Sequence, residues 1–279
     1  MSGGYILKKA LVLVVIVLSV ATVITGKIHW NNKLYATAKT SQAEKPDEQL
    51  NTAVDEKQED ESENKIEIVK KYSRNLPEEI QTKLMEATQT GIPINFIIAG
   101  SDSTPDDSTA WPALFKKRLE DTYGKDILTI TIKEIGDKTS TQVVQEELYQ
   151  EIIDLSPDIL LLEPFILYDN ANLVPLERRL VNITEILGTI KEEVPEVSIL
   201  LQPANPLHNA RYYPNEVNDL EGYAKENNYT YLNHWEAWPD YQSDEIAEYL
   251  DANGAPSEKG HKLWADYLSK YFIAQDGEN

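Results

Sequence analysis

The 279-residue sequence contains no cysteine, so no disulfide framework is possible and the folded domain must rely on its apolar core. Histidine is scarce: His29, His208, His234 and His261 are the four available imidazoles. Basic residues are outnumbered, 26 against 47 acidic, and the net charge of -21 argues against binding nucleic acid or an anionic lipid surface, both of which require a cationic patch. No His-x-x-x-His pair, carboxylate cluster with ligand spacing or glycine-rich phosphate loop occurs, so no metal and no other cofactor is expected.

Only one long apolar run is present, and it is at the N-terminus. Lys8 and Lys9 precede an unbroken apolar stretch over 10–25, followed by Lys27. Counting Tyr5 to Leu7 gives a span of about 20 residues, near the length a bilayer core needs. The two lysines predict an N-terminus inside and a C-terminal domain facing outward. Val23-Ile24-Thr25-Gly26 is a poor cleavage site and there is no cysteine to lipidate, so residues 1–26 read as an uncleaved membrane anchor, with a buried core helix as the alternative. An exported domain without cysteine suits a bacterial cell envelope. Residues 27–64 read as a linker, because 41–64 is rich in acidic residues such as Glu44, Asp47, Glu59 and Glu63 and nearly devoid of apolar ones, a composition that repels itself and stays extended.

A globular domain is expected over 65–273, with 274–279 as a tail. A leading helix is marked by Ile66, Val69, Tyr72, Ile80 and Leu84, with Pro77 breaking or restarting it. Strands over 94–99, 127–132, 159–162, 198–201 and 229–232 then alternate with helices over 111–123, 142–155, 176–194 and 214–227. Such alternation predicts a parallel sheet covered on both faces. Leu160-Leu161-Leu162 and Ile199-Leu200-Leu201 are wholly apolar, as the centre of such a sheet requires. A closing helix follows the N-cap candidate Ser257, with Leu263, Trp264, Tyr267, Leu268 and Phe272 on one stripe.

Chemistry is expected at Gly100-Ser101-Asp102-Ser103-Thr104, where the first strand stops and a hydroxyl-rich loop begins at the sheet's carboxyl edge. Ser103 is presented at that edge. Its competing role is structural, since Ser103, Asp106, Asp107 and Ser108 are all suited to turns or to capping the following helix.

Together these blocks resemble the SGNH/GDSL hydrolase superfamily over roughly 94–272. Ser101-Asp102-Ser103-Thr104 is similar to its Gly-Asp-Ser-Leu/Thr block, and Pro256-Ser257-Glu258-Lys259-Gly260-His261 to its closing Pro-Asn-x-x-Gly-His block. The resemblance implies a flavodoxin-like three-layer α/β/α fold with a parallel sheet of about five strands and Ser103 as nucleophile. It also implies Gly136 and Asn170 as oxyanion donors, with Asp102 beside the nucleophile as a substrate contact. Asp251 can stand for the acidic member of the triad. The position of the usual general-base histidine holds Ala255, and Glu163-Pro164-Phe165 stands where a Gly-x-Asn-Asp turn is usual.

Serine catalysis needs a base within hydrogen-bond reach, so the remaining histidines are the candidates. His29 belongs to the segment beside the membrane. His208 and His234 follow the fourth and fifth strands at the carboxyl edge and read as substrate contacts, with Trp235 as an apolar or sugar-stacking wall. His261, on the closing helix, completes the catalytic set Ser103, Asp251 and His261. The expected activity is hydrolysis of a small ester or an acylated glycan; the alternative is a catalytically silent module that binds a glycan or a protein partner.

Overall fold

The computed structural model describes residues 63–275. The membrane anchor expected over 1–26 and nearly all of the linker expected over 27–64 lie outside the described residues. Among the described residues no helix is long and apolar enough to cross a membrane.

A helix over 63–72 (α1) leads through a turn to α2 (Glu78–Thr90), and Pro77, whose fixed φ suits a helix start, is the N-cap. Five parallel strands follow: β1 (Ile94–Gly100), β2 (Leu128–Glu134), β3 (Ile159–Leu162), β4 (Ser198–Leu201) and β5 (Thr230–Tyr231). Their order in the sheet is β2-β1-β3-β4-β5. This is the flavodoxin-like arrangement, in which the strand order reverses between β1 and β3.

Period-2 alternation divides the core in two. Phe96, Ile98, Leu161 and Leu200 pack into one cluster with α2, α3 (Trp111–Tyr123) and the closing helix α9 (Glu258–Phe272). Ile97, Ala99, Leu160, Leu162, Ile199 and Leu201 pack on the opposite face against α4 (Ser140–Gln145), α7 (Leu176–Glu193) and α8 (Tyr213–Glu226). Side chains of this kind stabilise the fold by about 1.5–3 kcal/mol each when fully buried, which is why the domain dispenses with cross-links.

The expected helix over 142–155 is two shorter ones, α4 and α5 (Gln150–Ile153), separated by Glu147 at φ 53°. A continuous helix from Val143 would turn Tyr149 and Ile152 away from the sheet; the break lets all three bury. A capping box fixes the start of α4, with Thr139 accepting from Gln142 N and the Gln142 side chain accepting from Thr139 N. β5 is shorter than expected because it is an edge strand paired only to Leu200 and Leu201. A short helix, α6 (Ile166–Ala171), occupies what reads in sequence as a loop after β3.

Candidate active site

The loop after β1 is built tightly. The Thr104 N–H donates to the Ser101 carbonyl at 2.9 Å, closing a turn, and a Cβ at Gly100 would lie 2.5 Å from Thr104 Oγ1 and 2.8 Å from Glu163 Cβ. Only glycine lets the strand end pass these groups. Ser103 sits on the far side of the turn, where its N–H donates to Ser101 Oγ at 3.2 Å and its carbonyl accepts the indole N–H of Trp111 at 2.8 Å. Ser103 is 6% exposed, and its Oγ makes no hydrogen bond among the described residues. It does not cap α3: that helix starts at Ala110 without a side-chain cap.

Glu163, directly after β3, contacts this loop and has no counterpart in the sequence-based site. It is fully buried, and one oxygen accepts both the Ser101 N–H at 2.8 Å and the Ser101 hydroxyl at 2.5 Å, while the other accepts the Phe165 N–H at 3.1 Å. Loss of water raises its carboxyl to about 7 against the pull of these three donors. The signal in the sequence is a lone acidic residue directly after Leu160-Leu161-Leu162, where a carboxylate has no reason to be buried for packing.

The oxyanion candidates are Gly136 and Asn170, and Gly136 lies in the loop after β2. It follows β2 in the left-handed region at φ 87°, next to Ile135, whose N–H donates to the Gly100 carbonyl at 2.8 Å and stitches this loop to the end of β1. Its own N–H has no protein acceptor among the described residues. Asn170 is engaged elsewhere: its amide donates to Glu216 Oε1 at 2.8 Å, and Arg179 pairs with the other oxygen of that carboxylate at 2.6 Å. Asn170 therefore ties α6 to α8 through one of its two amide hydrogens.

The imidazoles are also accounted for. His234 is fully buried; its Nε2–H donates to the Pro203 carbonyl at 2.9 Å and its Nδ1 accepts from Trp238 Nε1 at 3.0 Å. Its ring stacks on Trp264 at 3.9 Å, and Trp264 stacks in turn on Trp111 at 4.4 Å. Burial lowers its pKa to about 3, so it stays neutral, and the expectation that it touches substrate is replaced by a role in the core. Trp235 is half-buried, with its indole N–H on the Ala204 carbonyl at 2.7 Å and its ring against Tyr213. His208 is exposed, within 3.5 Å of Asp244 and hydrogen-bonded to the side chain of Asn209. His29 lies outside the described residues.

His261, in the second turn of α9, accepts the Trp111 N–H through Nδ1 at 3.3 Å. That bond places the ring proton on Nε2 and gives α3 the cap its own sequence lacks. Burial lowers the pKa of the ring, outweighing the nearby charges of Asp107 and Asp251. Asp251 turns its Oδ1 onto the N–H groups of Asn253 at 2.7 Å and Ala255 at 3.0 Å, organising its own turn. No hydrogen bond joins any two of Ser103, Asp251 and His261 among the described residues, so the expected triad is not assembled. Asp102 is exposed at the mouth, and the raised pKa of the neighbouring Tyr168 phenol comes first from burial and then from its hydrogen bond to Asp102. The described residues contain no group of three potential metal ligands.

No family model and no curated protein matches the sequence. Solved structures do match in fold. A carbohydrate esterase of family 3 from Talaromyces cellulolyticus superposes on 63% of this chain and 94% of its own, with a TM-score of 0.54 at 10% identity. An acetylxylan esterase from Geobacillus stearothermophilus, in a catalytic mutant with a histidine replaced by alanine, covers 68% of this chain and 96% of its own, with a TM-score of 0.51 at 16% identity. A structure described as a lipolytic protein of the G-D-S-L family, from Desulfitobacterium hafniense DCB-2, covers 64% and 99%, with a TM-score of 0.51 at 16% identity. The chain has the SGNH/GDSL hydrolase fold.

Proposed function

We propose that this chain is a slow serine esterase that removes acyl groups, acetyl among them, from an uncharged glycan. The observation that carries this reading is the Ser103 hydroxyl beyond the carboxyl end of β1, without a hydrogen bond among the described residues, with the Gly136 N–H, likewise without one among them, on the loop stitched to that same strand end. Attack by Ser103 Oγ on an ester carbonyl would pass the hydroxyl proton to water and form a tetrahedral oxyanion stabilised by the Gly136 N–H; its collapse would expel the sugar hydroxyl, which takes up a proton, and water would then hydrolyse the acyl-serine to the free acid. Exposed Asp102, Asp106, Asp107 and Asp137 surround the loop, which disfavours polyanionic esters and suits neutral acylated sugars. The esterases of similar fold that act on acetylated xylan support the same substrate class.

Slow turnover follows from the engaged imidazoles. A positioned general base contributes about 10²–10⁴-fold, and with His234 and His261 committed to structural bonds that factor is missing. The same observation favours a second reading, a glycan-binding module with no turnover. Acetate release from acetylated xylo-oligosaccharide by the full chain and by its Ser103→Ala variant, with mass analysis after a phosphonate reagent, separates the two. The esterase reading expects a Ser103-dependent rate and an adduct on Ser103. Equal rates without an adduct leave the binding module.

Anchoring is part of the proposal. Lys8 and Lys9 before the apolar stretch over 10–25 support a single-pass attachment with the domain outside the cell, at a bacterial envelope. Recovery of the intact chain in washed membranes, with loss of the domain when whole cells are treated with protease, is the expected result.

A further inference from the structure

We propose that Glu163 is a positioning residue for Ser103, acting through Ser101. This rests on the reading of Ser103 as the reactive hydroxyl. The contacts form a continuous relay: Glu163 accepts from both the N–H and the hydroxyl of Ser101, and the same Ser101 oxygen accepts the N–H of Ser103. The Phe165 N–H holds the second carboxylate oxygen, so the side chain cannot swing away from the loop.

Three donors converging on one carboxyl group match the ionised form, which only accepts. Two of the donors point at Oε2, so a proton on that oxygen would displace one of its bonds to Ser101. The titratable groups that face Glu163 are Asp102 on the loop, Tyr168 on α6 and Tyr213 on α8, and none of them is a cation. The protein thus retains a buried carboxylate with no opposite charge, at the point where the strand order reverses, in contact with the loop that carries Ser103. A packing role alone would be met by an apolar residue; a carboxylate at this point is explained by what it fixes. Gly100 agrees with this, because Glu163 and Thr104 fill the space a Cβ would need.

The full chain and its Glu163→Gln and Ser101→Ala variants test this by two readouts. The first is the rate at which a p-nitrophenyl phosphonate modifies Ser103, followed by mass spectrometry between pH 5 and pH 9. The second is hydrogen exchange of the Ser101, Ser103 and Phe165 amides over the same range, corrected for intrinsic rates. In the parent, modification is expected to fall on the acid side with a midpoint near the value of about 7 set by Glu163. Displacing a reactive group by about 1 Å can cost about 100-fold, so either variant should slow modification about 10- to 100-fold, and Glu163→Gln should also remove the acid limb. The loop amides should lose protection in both variants and, in the parent, below pH 7, while those of β3 and α9 stay protected. Unchanged modification together with unchanged loop protection in either variant would overturn the proposal. If Ser103 is unmodified in the parent, the esterase reading fails, and loop exchange alone then decides whether Glu163 holds the loop.

Discussion

The Nδ1 atom of His261 accepts the backbone N–H of Trp111 at 3.3 Å, joining the second turn of α9 to the start of α3. The relationship explains the Gly-His pair of the closing block without catalysis. Gly260 lets the helix approach the Tyr249 carbonyl and the Trp238 ring, and the next residue caps the neighbouring helix. Trp111 in turn holds the Ser103 carbonyl through its indole, so the cap reaches the candidate nucleophile by one intermediate residue.

His261→Ala is therefore expected to behave as loss of a helix cap, lowering stability by about 0.5–2 kcal/mol. Ester turnover should change by less than about 10-fold, whereas removal of a general base costs about 10²–10⁴-fold. Urea unfolding and kcat/KM on the same preparation decide between these roles, and a hundredfold loss with stability intact would restore His261 to the catalytic set.

Asn170→Ala addresses the oxyanion assignment. Its amide bond to Glu216 predicts a loss of about 1–3 kcal/mol, because an acceptor beside Arg179 is left short of a donor. An oxyanion donor would instead cost about 10²–10³ in kcat. Thermal unfolding shifted with kcat nearly unchanged is the expected pair of results.

Gly260→Ala should be among the most damaging single changes. A Cβ there would lie 2.2 Å from the Tyr249 carbonyl oxygen, a backbone atom, and 2.9 Å from the Trp238 ring. Overpacking of this kind costs about 1–3 kcal/mol or more, and here α9 must shift as a unit. Near-wild-type stability in denaturant would show that the closing turn is looser than these contacts require.

Two of the buried titratable groups, Glu163 and His234, pull stability in opposite directions with pH. The Glu163 carboxyl is raised from 4.5 to about 7, so the folded chain binds the extra proton and stability falls as pH rises between those values. The His234 ring is lowered from 6.5 to about 3, so the unfolded chain binds the extra proton and stability falls as pH drops below 6.5. Each group contributes a slope of about 1.4 kcal/mol per pH unit in its own window. Glu163→Gln should consequently gain on the parent as pH rises from 4.5 to 7, in urea unfolding at pH 5 and pH 7.5. A stability difference independent of pH would mean that Glu163 does not titrate in this range.

Much of the scaffold is legible in one dimension. Short apolar runs such as Leu160-Leu161-Leu162 suit strands buried on both faces, and their alternation with amphipathic helices predicts the parallel sheet observed, whose first loop carries Ser103 at its carboxyl edge. The break at Glu147 was not legible, since it depends on which side chains must reach the sheet together.

Residue order alone names a candidate loop and the groups available to it: the hydroxyls after β1, four histidines and no cysteine. Which of those groups are already bonded depends on packing in three dimensions. Hydrogen-bond commitment is a property of contacts between residues far apart in the chain, as between His234 and Pro203, His261 and Trp111, or Glu163 and Ser101. A residue type states what a side chain can donate or accept, and the fold determines whether a neighbour has already taken it.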